Sequence, residues 1–409
     1  MNLIDCFQSV DSICCLPRDI LNYIFHLLFT NDGAILIPYQ KRVCRLLNVS
    51  KYWYEVTRGI IRTLFKPFMF KNSWVLGFFD ELEELYLYDN NSPVTYETLE
   101  KLTSLTKLRL TQYTRIINIG RFTKLVELIT ENNAYITSNE LSKLTNLTSL
   151  GLDSNNTLDD RALLGLKELT NLQLRTTECV TDNVLSRMVQ LTSLDLTNNK
   201  LITMKSLNML TNLTDLDVFG TNLPIDNYLR TARIQKLSLG DNLSVKASTV
   251  IEMKNLTHLD IDGNRIIMDR HISVMSNLVK IVIGQNTIIS GKTLPLMTNL
   301  RSLGLCANKK VTDNYLSLMT WLTELDISGN KILSGKVLVP LVNLRRLNIS
   351  SYYDHSGLLA LKNLEDLTMD IINETDYLII TELFNLKCLQ IPDHQKPDII
   401  RMFPRLQIR

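Results

Sequence analysis

Few residues in this 409-residue chain have the types and the spacing that catalytic or ligand-binding chemistry requires. The segment Gly284–Thr293, GQNTIISGKT, comes nearest to a phosphate-binding loop. The pattern G-x-x-x-x-G-K-T would need a glycine at position 286, which is Asn286, and a related SGK recurs at Ser334–Lys336. We therefore interpret this segment as the surface of a repeat and not as a nucleotide site.

Histidines and cysteines also lack the spacing of a metal site or an activated nucleophile. The histidines lie at 26, 258, 271, 355 and 394, and the cysteines at 6, 14, 15, 44, 179, 306 and 388, with no H-x-x-x-H or C-x-x-C pair. We expect no catalytic residue, no metal, no cofactor and no disulfide framework. Free thiols without a recognisable signal peptide predict an intracellular protein, in the cytoplasm or the nucleus of its own cell or of a host.

Bulk charge and hydropathy narrow the class of partner. The net charge is +2 and hydrophobic residues make up 45% of the chain, as in globular proteins. A near-neutral total argues against a dedicated nucleic-acid binder. The apolar run Ile20–Phe29 is much shorter than the ~20 residues that span a bilayer. We expect no nucleic-acid partner and no membrane partner.

A pattern L-x-x-L-x-L recurs along most of the chain, mostly every 22 residues. Copies begin at Leu82, Leu105, Leu125, Leu147, Leu169, Leu191, Leu213, Ile234, Leu256, Leu278, Leu300, Leu322, Leu344, Leu364 and Leu386, and a degenerate copy begins at Phe403. Numbering the first leucine as position 1, an asparagine occupies position 9 in nine copies, at Asn90, Asn133, Asn155, Asn199, Asn242, Asn264, Asn286, Asn308 and Asn330. The alternation predicts a short half-buried strand, and the rest of each copy predicts a short outer helix or 3₁₀ turn that begins at Thr or Asp.

This pattern resembles the leucine-rich repeat family in its 22-residue form. The resemblance implies an α/β solenoid, a horseshoe whose inner face is one parallel sheet and whose copies share a continuous core. We expect the position-9 asparagines to form a structural ladder, because one amide can both donate and accept a hydrogen bond where the strand turns away.

Strand alternation directs positions 3, 5 and 7 of each copy to the inner, concave face. The candidate substrate-binding residues there are Tyr86, Tyr88, Arg109, Asp195, Asp217, Asp260, Asp262 and Asp326. The aspartates would form a negative stripe that selects a basic segment of a target protein. The alternative is that aspartate is simply common at this position and is well solvated.

Ahead of the repeats, residues 16–61 have the pattern of three helices. Leu16 and Pro17 suit a helix start, and Ile20, Leu21, Ile24, Phe25 and Leu28 share one helical face. A second helix is expected from Gln40 to Leu47. A third begins near Ser50 and includes Trp53.

The order of these elements resembles the F-box. Its leading Leu-Pro matches Leu16 and Pro17, its first helix matches the aliphatic face just described, and its Val-Cys-Lys-x-Trp signature matches Val49, Ser50, Lys51, Tyr52 and Trp53. Serine replaces the usual cysteine, and the loop at 30–39 is longer than usual. The resemblance implies adaptor binding through Leu16, Pro17, Ile20, Leu21, Ile24, Phe25, Leu28, Val49, Lys51 and Trp53.

The F-box resemblance implies a non-catalytic substrate receptor of an SCF-type, cullin–RING ubiquitin ligase, with an adaptor and a cullin scaffold as partners. Residues 40–71 hold eight Lys and Arg against one acid, Glu55, which suits an acidic adaptor. The expected domains are a tail (1–15), an F-box-like helical domain (16–64), a linker and cap (65–81) and the repeats (82–409). The alternative is an interaction or adhesion scaffold with no ubiquitin link, in which the helices only cap the repeats.

Overall fold

The computed structural model describes residues 63–65, 81–87, 96–110, 112, 114, 118–349, 355–371, 374–392, 395, 399, 402–403 and 406–408. These belong to two compact units, Met1–Val184 and Leu185–Arg409. The expected adaptor-binding residues, together with Tyr88 and Asn90, lie outside the described residues.

Each copy builds one turn of a solenoid around a row of buried aliphatic side chains. In the copy that begins at Leu322, the leucines and isoleucine at positions 1, 4 and 6 are at most 3% exposed. Glu324 and Asp326, at positions 3 and 5, face away from this core and are half-buried. Period-2 alternation over a three-residue strand thus separates core from surface, as the sequence pattern predicts.

Parallel strands pair in register within the first unit. They are β1 (Thr63–Phe65), β2 (Glu84–Tyr86), β3 (Lys107–Leu110), β4 (Glu127–Glu131), β5 (Ser149–Asp153) and β6 (Asn171–Gln173). The sheet begins earlier than expected, because β1 falls where the sequence suggested the end of the helical domain and the linker. Ile61 and Leu64 would occupy positions 1 and 4 of a further copy, but Lys66 stands at position 6 and hides the motif.

The second unit continues the same strand pattern. Its strands are β7 (Ser193–Asp195), β8 (Asp215–Asp217), β9 (Lys236–Ser238), β10 (His258–Asp260), β11 (Lys280–Val282), β12 (Ser302–Gly304), β13 (Glu324–Asp326), β14 (Arg346–Asn348), β15 (Asp366–Thr368), β16 (Cys388–Gln390) and β17 (Gln407–Ile408). Each pairs with the next in parallel. The leucine-rich repeat solenoid with a parallel sheet is therefore confirmed.

Short outer helices and 3₁₀ turns return the chain from one strand to the next. The α-helices are Tyr96–Leu99, Ser138–Leu141, Asp182–Leu185, Met204–Leu207, Asp226–Thr231, Ala247–Ile251, Asp269–Ile272, Asp313–Leu316 and Glu374–Glu382. The 3₁₀ turns are Ile119–Arg121, Asp160–Ala162, Leu294–Leu296, Gly335–Leu338 and His355–Ala360. Thr137 and Thr203 cap their helices by accepting backbone N–H groups, which offsets the unpaired donors of a first turn.

Buried asparagines at position 9 join successive copies where the strand turns outward. The Asn286 amide nitrogen donates to the Asn264 carbonyl at 2.6 Å, and its oxygen accepts the N–H groups of Ile288 and Ile289, both at 2.9 Å. Asn155, Asn264 and Asn308 also donate to the preceding asparagine's carbonyl. The amides thus satisfy backbone groups that have no strand or helix partner.

Two further ladders on the exposed side of the copies were not recognised in the sequence. Asparagine at the last position of a copy donates to a carbonyl of the preceding copy at Asn146, Asn212, Asn277, Asn299, Asn343, Asn363 and Asn385. Threonine at position 2 does the same at Thr106, Thr148, Thr170, Thr214, Thr257 and Thr323. The recurring T-N-L-T segments therefore have a structural use.

Candidate binding surface on the inner sheet face

Carboxylates at strand position 5 occupy neighbouring places on the inner face of the second unit. Asp195 pairs in register with Asp217, Asp217 with Ser238, and Ser238 with Asp260. Asp326 lies farther along the same column. Because adjacent strands in a sheet are ~4.8 Å apart, Asp195 and Asp217 are close like charges held on rigid backbone. The structure thus brings four of the expected aspartates into one column.

Each carboxylate in this column also performs a local structural task. Asp195, Asp217, Asp260 and Asp326 accept the backbone N–H of the residue two positions on, in every case at 2.9 Å. The bond satisfies the first N–H after the strand pairing ends. Aspartate at position 5 is therefore useful to the fold even without a ligand.

These carboxylates are less exposed to solvent than those of a fully solvated stripe would be. Asp195 is only 8% exposed, and Asp217, Asp260 and Asp326 are half-buried. Burial raises the pKa of Asp260 to about 6, with Asp262 and Asp217 adding like-charge repulsion. Burial and the Asp195 charge likewise raise the pKa of Asp217. The column is strained electrostatically, so a cation placed against it would be stabilised.

Asp262 does not belong to the column, although alternation places it on the same face. It stands at position 7, and its carboxylate accepts the N–H of Gln285 in the next copy at 2.5 Å. Gly284 makes this possible, because a Cβ there would lie 2.6 Å from that carboxylate oxygen. The alternation of residues along the strand predicts that Asp262 lies on the inner face, but it does not predict the contact with Gln285.

A second row of charges follows strand position 3. Lys236 forms an ion pair with Asp215 at 2.6 Å, and His258 lies between Lys236 and Lys280 in register. Burial and the two lysines lower the pKa of His258, so the imidazole resists protonation. The inner face therefore places lysines beside the aspartate column.

A shallow depression of about 300 Å³ lies farther along the inner face of the second unit. Gly304 is part of its floor, while Lys280, Glu324, Asp326 and Arg346 stand around it. Arg346 is ion-paired with Glu324, and Asn348 donates to Asp326 at 3.1 Å. The depression presents both charge signs and is continuous with the column.

Candidate residues in the first unit already have partners. The Tyr86 hydroxyl donates to Glu84 at 3.3 Å, and Lys107 forms an ion pair with Glu84 at 2.6 Å. Arg109 forms an ion pair with Glu131 at 2.5 Å. A ligand would have to displace these contacts, so this region is a weaker candidate than the aspartate column.

The described part of the chain offers little support for a catalytic site or a metal site. It contains no group of three or more His, Cys, Asp and Glu that could hold a metal ion. Burial raises the pKa of the Cys179 thiol to about 11, the opposite of an activated nucleophile. Asn286, inside the segment that resembles a phosphate loop, is buried in the ladder. Among the described helices, none is long and apolar enough to span a bilayer.

Comparison with known proteins finds resemblance only in solved structures. No protein-family model matches the sequence. No curated protein matches it either. An internalin (InlF) from Listeria monocytogenes is 21% identical, with 79% of this chain and 96% of the internalin covered and a TM-score of 0.45. A leucine-rich repeat protein of Leptospira interrogans is 22% identical, with 81% and 91% covered and a TM-score of 0.42.

One further similar structure is a complex of TLR13 with the RNA ssRNA13. It is 17% identical, with a TM-score of 0.48, and 81% of this chain aligns with 54% of that one. This chain thus spans about half the length of that protein. Likeness of this degree transfers no ligand, partner or activity to the present chain.

Proposed function

We propose that this protein is a non-catalytic recognition subunit whose inner sheet face, in the second unit, binds a basic segment of a target protein. The observation that carries the proposal is the column of Asp195, Asp217, Asp260 and Asp326. These carboxylates are held by short strands, are partly desolvated, and include two directly adjacent like charges. Such a surface gains more from a bound cation than a fully hydrated one does.

The expected mode of binding is an extended segment lying across the strands. Lysine or arginine side chains, about one for every one or two copies, would each meet a carboxylate of the column. The Asp–backbone bonds fix each carboxylate before binding, so little side-chain entropy is lost on association. The ion pairs of the position-3 row, such as Lys236 with Asp215, disfavour ligands with the wrong charge pattern.

An immobilised set of short peptides of varied charge tests this mode with the full-length chain. We expect the bound peptides to be rich in lysine and arginine and to bind less at high salt, because exposed charge attraction is screened. Selection of acidic or purely apolar peptides, or binding that ignores salt, would contradict the proposal.

We further propose that the repeats recognise the substrate for an SCF-type ubiquitin ligase inside the cell, in the cytoplasm or the nucleus. Its support is the F-box resemblance of residues 16–61 in the sequence, which lie outside the described residues. The adaptor and cullin would bind through these residues, and the transfer chemistry would belong to other subunits.

Removal of residues 1–60 from the chain tests the ligase role. This variant keeps Thr63–Phe65, which pairs with β2 and so belongs to the sheet. We expect loss of the adaptor from pull-downs in eukaryotic lysate, with the circular dichroism of the repeats retained. Equal recovery of adaptor by the full-length and shortened chains would favour the alternative, a scaffold with no ubiquitin link whose helices only cap the repeats.

A further inference from the structure

The outer side of the second unit carries a row of exposed aliphatic side chains. Val274, Leu296, Leu318 and Val339 belong to four successive copies, and their exposed fractions are 62%, 71%, 57% and 51%. Val274, Leu296 and Leu318 stand at position 19 and Val339 at position 18, while position 19 of the two preceding copies holds Thr231 and Glu252. Scattered exposed aliphatics need no explanation, but a row over successive copies indicates a contact surface.

Successive outer turns in this row are tied together, so the aliphatic residues are neighbours. The Asp269 carboxylate accepts the N–H of Ser290 at 2.8 Å, and Asp313 accepts that of Ser334 at 3.0 Å. The turn Leu294–Leu296 also packs beside the helix Asp313–Leu316. The row is therefore one continuous surface and not four isolated residues.

Cations accompany the aliphatic residues. Arg270, Lys292 and Lys336 are exposed and stand three or four residues ahead of the aliphatic residue of their own copy. None of the three forms an ion pair with a described carboxylate. Outside strand positions 1–7, these four copies hold seven Lys and Arg and two Asp, a balance of +5. The two aspartates are the ones engaged by Ser290 and Ser334.

We infer that this outer row, defined as Val274, Leu296, Leu318 and Val339 with Arg270, Lys292 and Lys336, docks on an anionic lipid surface. Aliphatic side chains that enter the headgroup region, flanked by Lys and Arg that meet lipid phosphates, are the requirements of interfacial membrane binding. The docking requires no membrane-spanning helix and uses residues that lie outside the strands of the aspartate column.

The composition of the row favours lipid over a protein partner. Protein interfaces are enriched in aromatic residues and depleted in lysine, and their anchors fill pockets. The exposed members of the row are aliphatic, and lysine is their companion. Charge complementarity selects a surface rich in phosphatidylserine or a similar anionic lipid.

The test is co-sedimentation of the full-length chain with lipid vesicles at low and high salt. One vesicle is phosphatidylcholine alone, and the other contains about one-third phosphatidylserine. We expect binding to the anionic vesicle only, weakening as salt rises. Binding to neither vesicle, or equal binding to both, would overturn the inference.

A matched pair of variants locates the contact. Lys205 and Met209 repeat the same chemistry in a copy separated from the row by Thr231 and Glu252. We expect Lys292→Glu with Leu296→Ser to weaken anionic-vesicle binding at least about tenfold. We expect Lys205→Glu with Met209→Ser to weaken it less than about threefold, because that copy stands apart. Unchanged thermal midpoints exclude unfolding, since all four residues are exposed.

Equal effects of the two double variants would overturn the inference, since the row would then have no special part. A different overturning result is concentration-dependent self-association, seen by light scattering, that the Lys292/Leu296 variant abolishes while vesicle binding is absent. That outcome would assign the row to a contact between two copies of the chain.

Discussion

Aspartate at strand position 5 illustrates how one residue serves both fold and recognition. Its carboxylate accepts an N–H two residues on, which explains its recurrence in the copies. Its remaining charge faces the inner side in a partly desolvated place, which explains its capacity for a ligand. The sequence allows two interpretations of these aspartates, a binding stripe or a common residue that is well solvated. Their partial burial and their bond to the backbone show that they are not fully solvated.

Asp260 is expected to make stability depend on pH. Its folded pKa of about 6 lies above the ordinary value, so the folded state binds the proton more tightly. The group's contribution is fully present below about pH 4 and is lost as pH rises through about 6. Asp260→Asn keeps an acceptor for the Asp262 N–H, and should raise stability at pH 7 by about 1 kcal/mol after allowance for partial exposure.

Urea unfolding of the wild type and of Asp260→Asn at pH 4.5 and pH 7 measures this. We expect the difference between the two proteins to be small at the lower pH and to favour the variant at the higher one. A variant that is less stable at pH 7 would show that the ionised carboxylate stabilises the fold.

The buried and exposed asparagine ladders should differ in strength. Asn286→Ala leaves the buried N–H of Ile289, the part-buried N–H of Ile288 and the Asn264 carbonyl without their partners, which should cost about 3–5 kcal/mol. Asn299→Ala removes an exposed bond to the Ser276 carbonyl at 2.9 Å, which water can replace, so the cost should stay below about 1 kcal/mol. Chemical denaturation gives both losses in the free energy of unfolding. Equal losses would mean that burial does not decide how much a ladder asparagine contributes to stability.

At the scale of elements, the strand register could be predicted from the alternation of apolar and polar residues. When one face of a sheet is buried, only one register places all the apolar side chains on that face. The strand at Thr63–Phe65 could not, because Lys66 interrupts its motif. The outer cationic and aliphatic row was also missed, because its aliphatic members are 21 or 22 residues apart in sequence. Only the stacking of copies makes them neighbours.

The shortened copy that begins at Leu344 contains a contact with no equivalent in the sequence pattern. The Nδ1 atom of His355 lies within hydrogen-bonding distance of an Asp376 carboxylate oxygen, at 2.6 Å, and the two residues are 6% and 1% exposed. This pair joins the turn His355–Ala360 to the helix Glu374–Glu382. Neither residue belongs to the repeat consensus, so no periodicity indicates that they meet.

A double-mutant cycle on this pair tests its role. His355→Leu leaves a buried carboxylate without the imidazole and should cost about 3 kcal/mol. Adding Asp376→Leu should recover part of the loss, because the buried charge is then removed as well. Additive losses in urea unfolding would show that the two side chains do not depend on each other.

Across the whole molecule, parallel strands recur in both units, and the second unit presents two surfaces of opposite charge character. The inner face has the aspartate column, while the outer face has exposed aliphatics with lysine and arginine. The near-neutral total charge of +2 conceals this separation, because the two surfaces offset each other. Net charge alone therefore does not exclude charged binding surfaces. The two surfaces form only when the copies are stacked.

The central claim is that the aspartate column recognises a basic protein segment. Its most direct test is the affinity of the best lysine- and arginine-rich peptide for a triple variant, Asp195→Asn, Asp217→Asn and Asp260→Asn. The matched control is Glu168→Gln, Glu252→Gln and Glu382→Gln, which removes three exposed acids outside the column.

We expect the inner triple variant to keep or raise its thermal midpoint and to bind the peptide at least about tenfold more weakly at low salt, with a smaller loss at high salt. The outer control should bind within about twofold of the wild type. Full affinity of the inner triple variant at low salt, or an equal loss in the control, would contradict the claim.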